Sequence, residues 1–581
     1  MKFFFLSLLL CLLFCPGCAD EADNGRDGED STDDDSYTPA DDDDDNDDAP
    51  GTDKAKVFEI NPVLTDQIMK TTLEDVADDA GGALISRIDD EGIRKLRVLT
   101  CSDEEETIDL PGLGTQRICT LRPLANKNEN GDFVYPDWPT AVAGVYDPND
   151  VHAEVELYYH AQKIYRFITG ENVGVFTHLP GRHKVNGEAT PINLVANYRL
   201  PTTTGNLEPI STAFYSPHEY MQQGMAEVNG LLGYEGDFLV FGQGSHADFA
   251  YDGETIYHEF GHLINYATAG LEYNIYADEY GLCNLTNALN EGLADTFSWL
   301  VSGNPTALFA YLEQTAGPGF SRDVDNDLAF PRDLRGFDPT DGGIIAGANF
   351  AVYQQLAAEP GLSPEVFTRL ILLTLLELPQ SEEPDSFAKY ADTFLAILES
   401  EGLSEAAPAI REIFTARGLY ETVRAKEITD YREADHQLLI VGGTYDAPWN
   451  VSMDLRIEDA VLAAAPAYVQ GIVDLPSGAS TLVITATLLS APDAPMYPDP
   501  TDWDLRLYLR RVEPIRYVEQ TDGTFQVTYD QAVAAEAEKR DRKTENTWRA
   551  EGLTAGNRYY LQFVNFGEAS ATLMNLDIAA Q

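Results

Sequence analysis

One pentapeptide constrains this 581-residue chain more than any other stretch: His258-Glu259-Phe260-Gly261-His262. Around it, Ile256, Phe260, Leu263, Ile264 and Ala267 recur with the 3.6-residue period of an amphipathic helix. Helix positions i and i+4 share a face, so both imidazoles can reach one metal ion. Glu259, beside the first of them, is placed to take a proton from a metal-held water. A catalytic zinc takes three protein ligands and leaves a fourth position to water. The next apolar period, Leu285, Leu289, Leu293 and Leu300, marks a second helix carrying Asn290-Glu291-Gly292-Leu293-Ala294-Asp295. Glu291 is the expected third ligand. Asp295, one turn further on the same face, is the expected acceptor for the N–H of a ligand histidine, which fixes its tautomer.

The remaining chain divides by pattern. Residues 55–150 hold short alternating runs such as Lys95-Leu96-Arg97-Val98-Leu99, which read as strands. Residues 151–168 read as a helix, 171–250 as loops with strand-like pieces including Phe238-Leu239-Val240-Phe241, and 254–424 as mainly helical, with helices over Pro364–Leu378 and Ser386–Glu401. From about residue 430 the period becomes two, as in Leu505, Leu507 and Leu509, and turn residues separate the runs. That predicts a small antiparallel β sandwich over 430–581. The expected fold class is therefore α+β, with a catalytic unit at 151–425 preceded by its own β-rich segment at 55–150.

The N-terminus reads as an export signal. Lys2 precedes the apolar run Phe3–Phe14, too short to span a bilayer as a mature helix, and Cys15-Pro16-Gly17-Cys18 follows. A small residue before a cysteine at this place resembles a bacterial lipobox. Residues 1–18 are thus expected to be a lipoprotein signal, with Cys18 lipidated and the protein anchored at a bacterial cell envelope, facing the periplasm or the exterior. Residues 19–54 form an acidic tether, with 16 Asp/Glu and one Arg between 19 and 50, and cannot bury a core. The whole chain carries a net charge of −59, which excludes nucleic acid as a main partner, because phosphate binding needs an excess of Lys and Arg. Of six cysteines, Cys11 and Cys15 leave with the signal and Cys18 takes lipid. Cys101 and Cys119 remain in one segment, where an oxidising compartment favours a disulfide, and Cys283 is left as a buried thiol.

The string HEFGHLINYATAGLEY (258–273) resembles the active-site helix and following turn of thermolysin-like metallopeptidases, and NEGLAD (290–295) resembles their third-ligand helix. Asn61-Pro62-Val63, Glu154–His160 and Asp323-Val324-Asp325-Asn326-Asp327 are closer to the related fungalysins. The resemblance covers residues 55 to 420. It implies a two-lobed zincin with a β-rich upper lobe, a helical lower lobe and one zinc between them. It also implies metal ligands His258, His262 and Glu291, Glu259 as general base, Asp295 orienting His258, and Tyr273 helping to hold an oxyanion. Thr212-Ala213-Phe214-Tyr215 resembles the family's edge strand that pairs with an extended peptide substrate. The implied activity is zinc-dependent endopeptidase action on surface or extracellular proteins. The tail, through Val473–Ala479 and Asp502–Leu509, resembles the pre-peptidase C-terminal β domain of secreted bacterial proteases, an accessory domain that is sometimes removed.

One departure bears on activity. The family places a catalytic histidine downstream, yet no histidine lies between His262 and His436; Ile345 stands where it is expected. One lost oxyanion donor can cost about 100- to 1000-fold in rate. A zinc-binding pseudopeptidase, or a surface-binding lipoprotein, is the alternative reading. Asp323, Asp325 and Asp327 are candidate ligands for Ca2+, against the plainer reading of a loop with helix-capping acids.

Overall fold

A computed structural model describes residues 53–581 except 66–67, 79–80, 111–113, 136–146, 202–205, 220–233, 245–246, 272–274, 317–318, 358–361, 379–385, 429–436, 442–451, 458–459, 491–503, 538–542 and 568–570. Cys18, Tyr273 and His436 lie outside the described residues. The class is mixed, with helices and sheets both prominent.

The first part is built on a six-stranded mixed sheet. Its strands are β3 (Leu96–Leu110), β4 (Gly114–Arg122), β7 (Ile192–Pro201), β8 (Leu207–Pro209), β9 (Ala213–Ser216) and β10 (Phe238–Gly242); β1 (Lys54–Phe58) with β2 (Ile68–Thr72), and β5 (Lys184–Val185) with β6 (Glu188–Ala189), form separate hairpins. The order is β4-β3-β7-β10-β9, with β8 on β7; β3, β7 and β10 run parallel, while β4 and β9 are antiparallel to their neighbours. β9 therefore lies at the end of the sheet. The Cys101–Cys119 disulfide staples β3 to β4, and Cys283 is a buried free thiol.

Eight α-helices are described: α1 (Val151–Thr169), α2 (Gly253–Ala269), α3 (Leu285–Ser302), α4 (Ala310–Ala316), α5 (Asp338–Leu356), α6 (Pro364–Glu377), α7 (Phe387–Ser400) and α8 (Ala407–Ala416). Their ends follow local chemistry. Asp150 accepts from the His152 amide to start α1, and Ser363 and Ser386 cap α6 and α7. Gly270, in the left-handed region at φ 66°, ends α2. α1 packs on the sheet and on α2, α2 on α3, and α3 on α5. None of the helices among the described residues is long and apolar enough to cross a membrane.

Two closely spaced helix crossings rest on glycine. A Cβ on Gly261 would stand 2.7 Å from Ala294 Cα, and one on Gly292 would stand 2.3 Å from the Gly342 carbonyl oxygen. Only a missing side chain lets α2, α3 and α5 approach this closely. A short hairpin, β11 (Tyr276–Asp278) and β12 (Gly281–Cys283), connects α2 to α3.

The C-terminal strands are β13 (Ala425–Glu427), β14 (Gln437–Val441), β15 (Met453–Ile457), β16 (Ala460–Pro466), β17 (Gln470–Asp474), β18 (Thr481–Ser490), β19 (Leu505–Arg511), β20 (Arg516–Glu519), β21 (Phe525–Thr528), β22 (Gln531–Ala534), β23 (Glu536–Ala537), β24 (Lys543–Glu551), β25 (Arg558–Asn565) and β26 (Ala571–Ala580). They form a nine-stranded and a five-stranded sheet. The tail departs from the expected all-antiparallel pattern in two places: β13 pairs parallel with β17, and β15 with β21. The sheet also starts earlier than residue 430. β13 joins it from Ala425, the last residue of the stretch read from sequence as catalytic. Alternation predicts strands, but it carries no information about which edge a short terminal strand will find.

Candidate metal centre

α2 presents His258 and His262 toward α3, and α3 returns Glu291. His258 Nε2 and His262 Nε2 are 3.1 Å apart; Glu291 Oε2 lies 3.6 Å from the first and Oε1 lies 3.5 Å from the second. A tetrahedral site with zinc–ligand bonds near 2.0–2.1 Å has edges of about 3.3 Å, so the triangle has the size that zinc requires.

The hydrogen bonds around the triangle define its chemistry. His258 Nδ1 donates to Asp295 Oδ1 at 2.8 Å, and His262 Nδ1 donates to Asn290 Oδ1 at 3.1 Å. Asn290 is oriented by Asn265, whose Nδ2 donates to the same oxygen at 2.8 Å. With both Nδ1 atoms donating, each neutral imidazole keeps a lone pair on Nε2. Two lone pairs and a carboxylate then face one another within 3.6 Å. Three acceptors at that distance repel unless a cation lies among them, so the donor set fits a divalent metal.

Other groups complete the site. Glu259 is buried next to the triangle, and the Tyr215 backbone amide of β9 hydrogen-bonds to its carboxylate; burial pushes that carboxyl up to about 7. The strand read from sequence as 212–215 is therefore an edge strand, and it borders Glu259. Arg322, which sequence reasoning missed, donates to Asp295 Oδ1 at 2.7 Å and to Glu291 Oε2 at 3.4 Å. Its guanidinium carbon lies 5.1 Å from the centre of the Phe309 ring, and that ring meets the His258 ring edge-on at 5.5 Å. Asp295 is fully buried, and Arg322 and His258 hold its carboxyl below the usual range against the effect of burial. Phe309 sits at φ 64°, a strained backbone for a bulky residue, and its amide donates to Glu254 Oε2 at 2.8 Å.

The N-terminal segment reaches the same helix. Asn61 is fully buried and donates to Asp252, the residue that starts α2, at 3.0 Å, while the Gly253 amide bonds Ile60 O. His160 lies in the α1–α2 interface, hydrogen-bonded to Tyr257 at 2.7 Å and away from the triangle. Tyr158 is likewise buried between elements, bonded to Glu74 O. Ile345 is fully buried on α5 against Gly292, and offers no polar atom.

Two further acidic groupings carry their own cations. Among His218, Glu219 and Asp237 lies the Arg182 guanidinium, with Nη2 2.8 Å from His218 Nδ1, Nη1 3.1 Å from Glu219 Oε2 and Nε 3.3 Å from Asp237 Oδ2. In the 323–328 loop, Arg417 takes the carbonyls of Asn326 and Leu328, Arg332 takes that of Asp327, and Asp323 Oδ1 accepts the Asp325 amide. Arginine thus bonds three carbonyl oxygens of this loop, and Asn326 Nδ2 bonds a fourth, that of Asp323.

No family model matches the chain, and no curated protein matches it. Among solved structures, it is similar over 24% of its length to 18% of the enzymatically active domain of bacteriophage CBA120 tailspike protein 4, at 9% identity and a TM-score of 0.14. It is also similar over 22% of its length to 78% of the CBM22-1 xylan-binding domain of Paenibacillus barcinonensis Xyn10C, at 9% identity and a TM-score of 0.12. The chain therefore spans less than a fifth of the tailspike domain it matches.

Proposed function

We propose that this chain is a zinc-dependent metalloendopeptidase of the gluzincin type, anchored by an N-terminal lipid and acting on extended segments of extracellular or surface proteins. The observation that carries the reading is the triangle of three acceptors, His258 Nε2, His262 Nε2 and Glu291, with both Nδ1 atoms committed elsewhere. His258, His262 and Glu291 would hold the zinc. When bound, it supplies Lewis acidity toward a carbonyl oxygen and lowers the pKa of water. Glu259 takes the proton from the attacking water and passes it to the leaving amine. Asp295 and Asn290 keep the histidines in the ligating tautomer. β9, at the end of its sheet, receives the substrate backbone as an added strand, which aligns a peptide bond beside Glu259. Arg322 is a fixed cation at the same wall and stabilises developing negative charge where the family's downstream histidine is missing.

The test is cleavage of unstructured protein by the zinc-loaded chain, with Glu259→Gln as control. Cleavage that disappears in the variant while zinc stays bound supports the reading. A second reading, a pseudopeptidase that binds peptides without cutting them, is favoured by buried Ile345 at the histidine's place. Zinc bound at one per chain with no cleavage of any unstructured substrate would select it.

A further inference from the structure

The hairpin between the two ligand-bearing helices is held by the C-terminal β domain. Leu282 of β12 is 1% exposed and completes an apolar cluster whose other buried members, Met453, Leu455, Ala464, Tyr508, Ile515 and Tyr517 among them, all come from the β domain. The hairpin's turn is held by backbone-directed hydrogen bonds. The Tyr517 amide donates to Glu279 O at 2.9 Å, and Gln562 Nε2 donates to Tyr280 O at 3.1 Å and to Ala467 O at 2.8 Å. Gln562 is buried, and its Oε1 accepts from the Tyr517 hydroxyl at 2.9 Å, so every polar atom of its amide that points inward is used to fix this contact.

The fit requires Gly281. Its φ is +107°, and a Cβ there would meet Gln562 Nε2 at 3.1 Å and both Pro466 Cβ and Tyr517 Cε2 at 3.3 Å. Charge adds to the hold, once buried and once at the surface. Arg424 pairs with Asp278 and donates to Leu282 O at 3.0 Å, and Arg516 pairs with Glu279. Buried hydrogen bonds, a glycine-only approach and a shared apolar cluster converge on one short turn. A detachable appendage needs none of them.

We infer that the C-terminal β domain is a working part of the metal centre: through Gln562 and Tyr517 it grips the 278–282 turn, and so sets the position of Glu291 relative to His258 and His262. The inference rests on the zinc reading above. Gln562 and Tyr517 are positioning residues, since they touch the turn and no reacting group.

The test uses the full chain loaded with Co2+ in place of Zn2+. The visible absorption of Co2+ reports ligand geometry, which a loss of stability alone would not alter. Gln562→Leu keeps the volume and loses the bonds, and Gly281→Ala adds the clashing Cβ. Both are expected to change the Co2+ spectrum and weaken zinc binding about 10-fold or more, the scale of supporting-residue effects at metal sites. Arg558→Ala, on the same domain at the exposed Asp474 pair, is expected to leave both unchanged. As a second measurement, a protease site is placed within 429–436 and cut. The two pieces are expected to stay together with metal bound, and urea that separates them should release the metal at the same concentration. An unchanged spectrum and affinity in both folded variants, or a β fragment that leaves while the rest keeps parental affinity, overturns the inference. If the parent chain itself takes up neither zinc nor cobalt, the zinc reading fails instead.

Discussion

Gly261→Ala tests whether the spacing of α2 and α3 sets the metal triangle. The new Cβ would lie 2.7 Å from Ala294 Cα, 3.1 Å from Ala294 Cβ and 3.2 Å from Ala294 O. Carbon atoms rest about 3.5–4.0 Å apart, so the two helices must separate by roughly 1 Å. None of the three contacts can be relieved by a rotamer change, because two of the atoms are backbone and the third is an alanine Cβ. Metal sites hold their ligand distances within about 0.2 Å, so such a shift takes Glu291 out of register with the histidines. Overpacking of this kind costs about 1–3 kcal/mol of stability, and zinc affinity should fall about 10- to 100-fold or more. Affinity is read by competition with a chromophoric chelator, and stability by urea melts. Gly303→Ala, which loses stability without a clash, is the control. Gly303 has a positive φ, 74°, unlike Gly261, and a Cβ there meets nothing within 4 Å. It should lose about 1–2 kcal/mol through backbone strain and keep its metal. Parental zinc affinity in Gly261→Ala, within twofold, would refute the argument that helix spacing holds the site.

Three further outcomes are expected. Asp295→Asn weakens the grip on both His258 and Arg322 and should lower zinc affinity about 10- to 100-fold in the same competition assay; an unchanged affinity would show that the tautomer is fixed elsewhere. Arg322→Met keeps the apolar stem over Phe309 but removes the cation, so kcat for peptide cleavage should fall about 100-fold or more at saturating zinc, with a smaller loss of zinc affinity through Asp295 and Glu291; equal kcat would remove Arg322 from the reaction. His183 is buried, and burial holds its imidazole down at about 4, against about 6.5 in the unfolded chain. The unfolded chain takes up that proton first, so the folded state loses stability as pH falls from about 6.5 toward 4. His183→Gln should flatten this part of the profile in urea melts across that range, and an identical slope in the variant would assign the acid sensitivity to other groups.

The helices carrying His258, His262 and Glu291 were readable because their signal is local. A period of 3.6, a four-residue histidine spacing and an acid one turn past another acid all lie within single helices. α1, α6 and α7 follow expectation to within a residue or two, with Ser363 and Ser386 as the caps that fix two of the starts. What stayed hidden depends on distant parts of the chain meeting. Arg322 is one of 38 basic residues and lies on no periodic element; only its β-bridge with Leu308 and the Phe309 ring bring it to Asp295. Asn290 adjoins Glu291, but its part in fixing His262 needs Asn265 across the helix crossing. The three aspartates at 323–327 have the alternation of a cation loop, and nothing local shows that Arg332 bonds the Asp327 carbonyl or that Arg417 bonds those of Asn326 and Leu328. In the tail, alternation marks strands well but leaves pairing open, which is why the parallel β13–β17 and β15–β21 contacts were not foreseen.

Gln562 and Tyr280 are 282 residues apart, and that distance is also an interval of time. A ribosome adds about 5–20 residues per second, so roughly 15–60 s separate synthesis of the hairpin from synthesis of the strand that grips it. During that interval the growing chain holds both histidines and Glu291 but not the grip on the turn between them. On the inferred grip, the turn is held only once β25 (Arg558–Asn565), which carries Gln562, has been made. Chain order thus works as a delay: His258, His262 and Glu291 are made long before the strand that holds the turn between their helices.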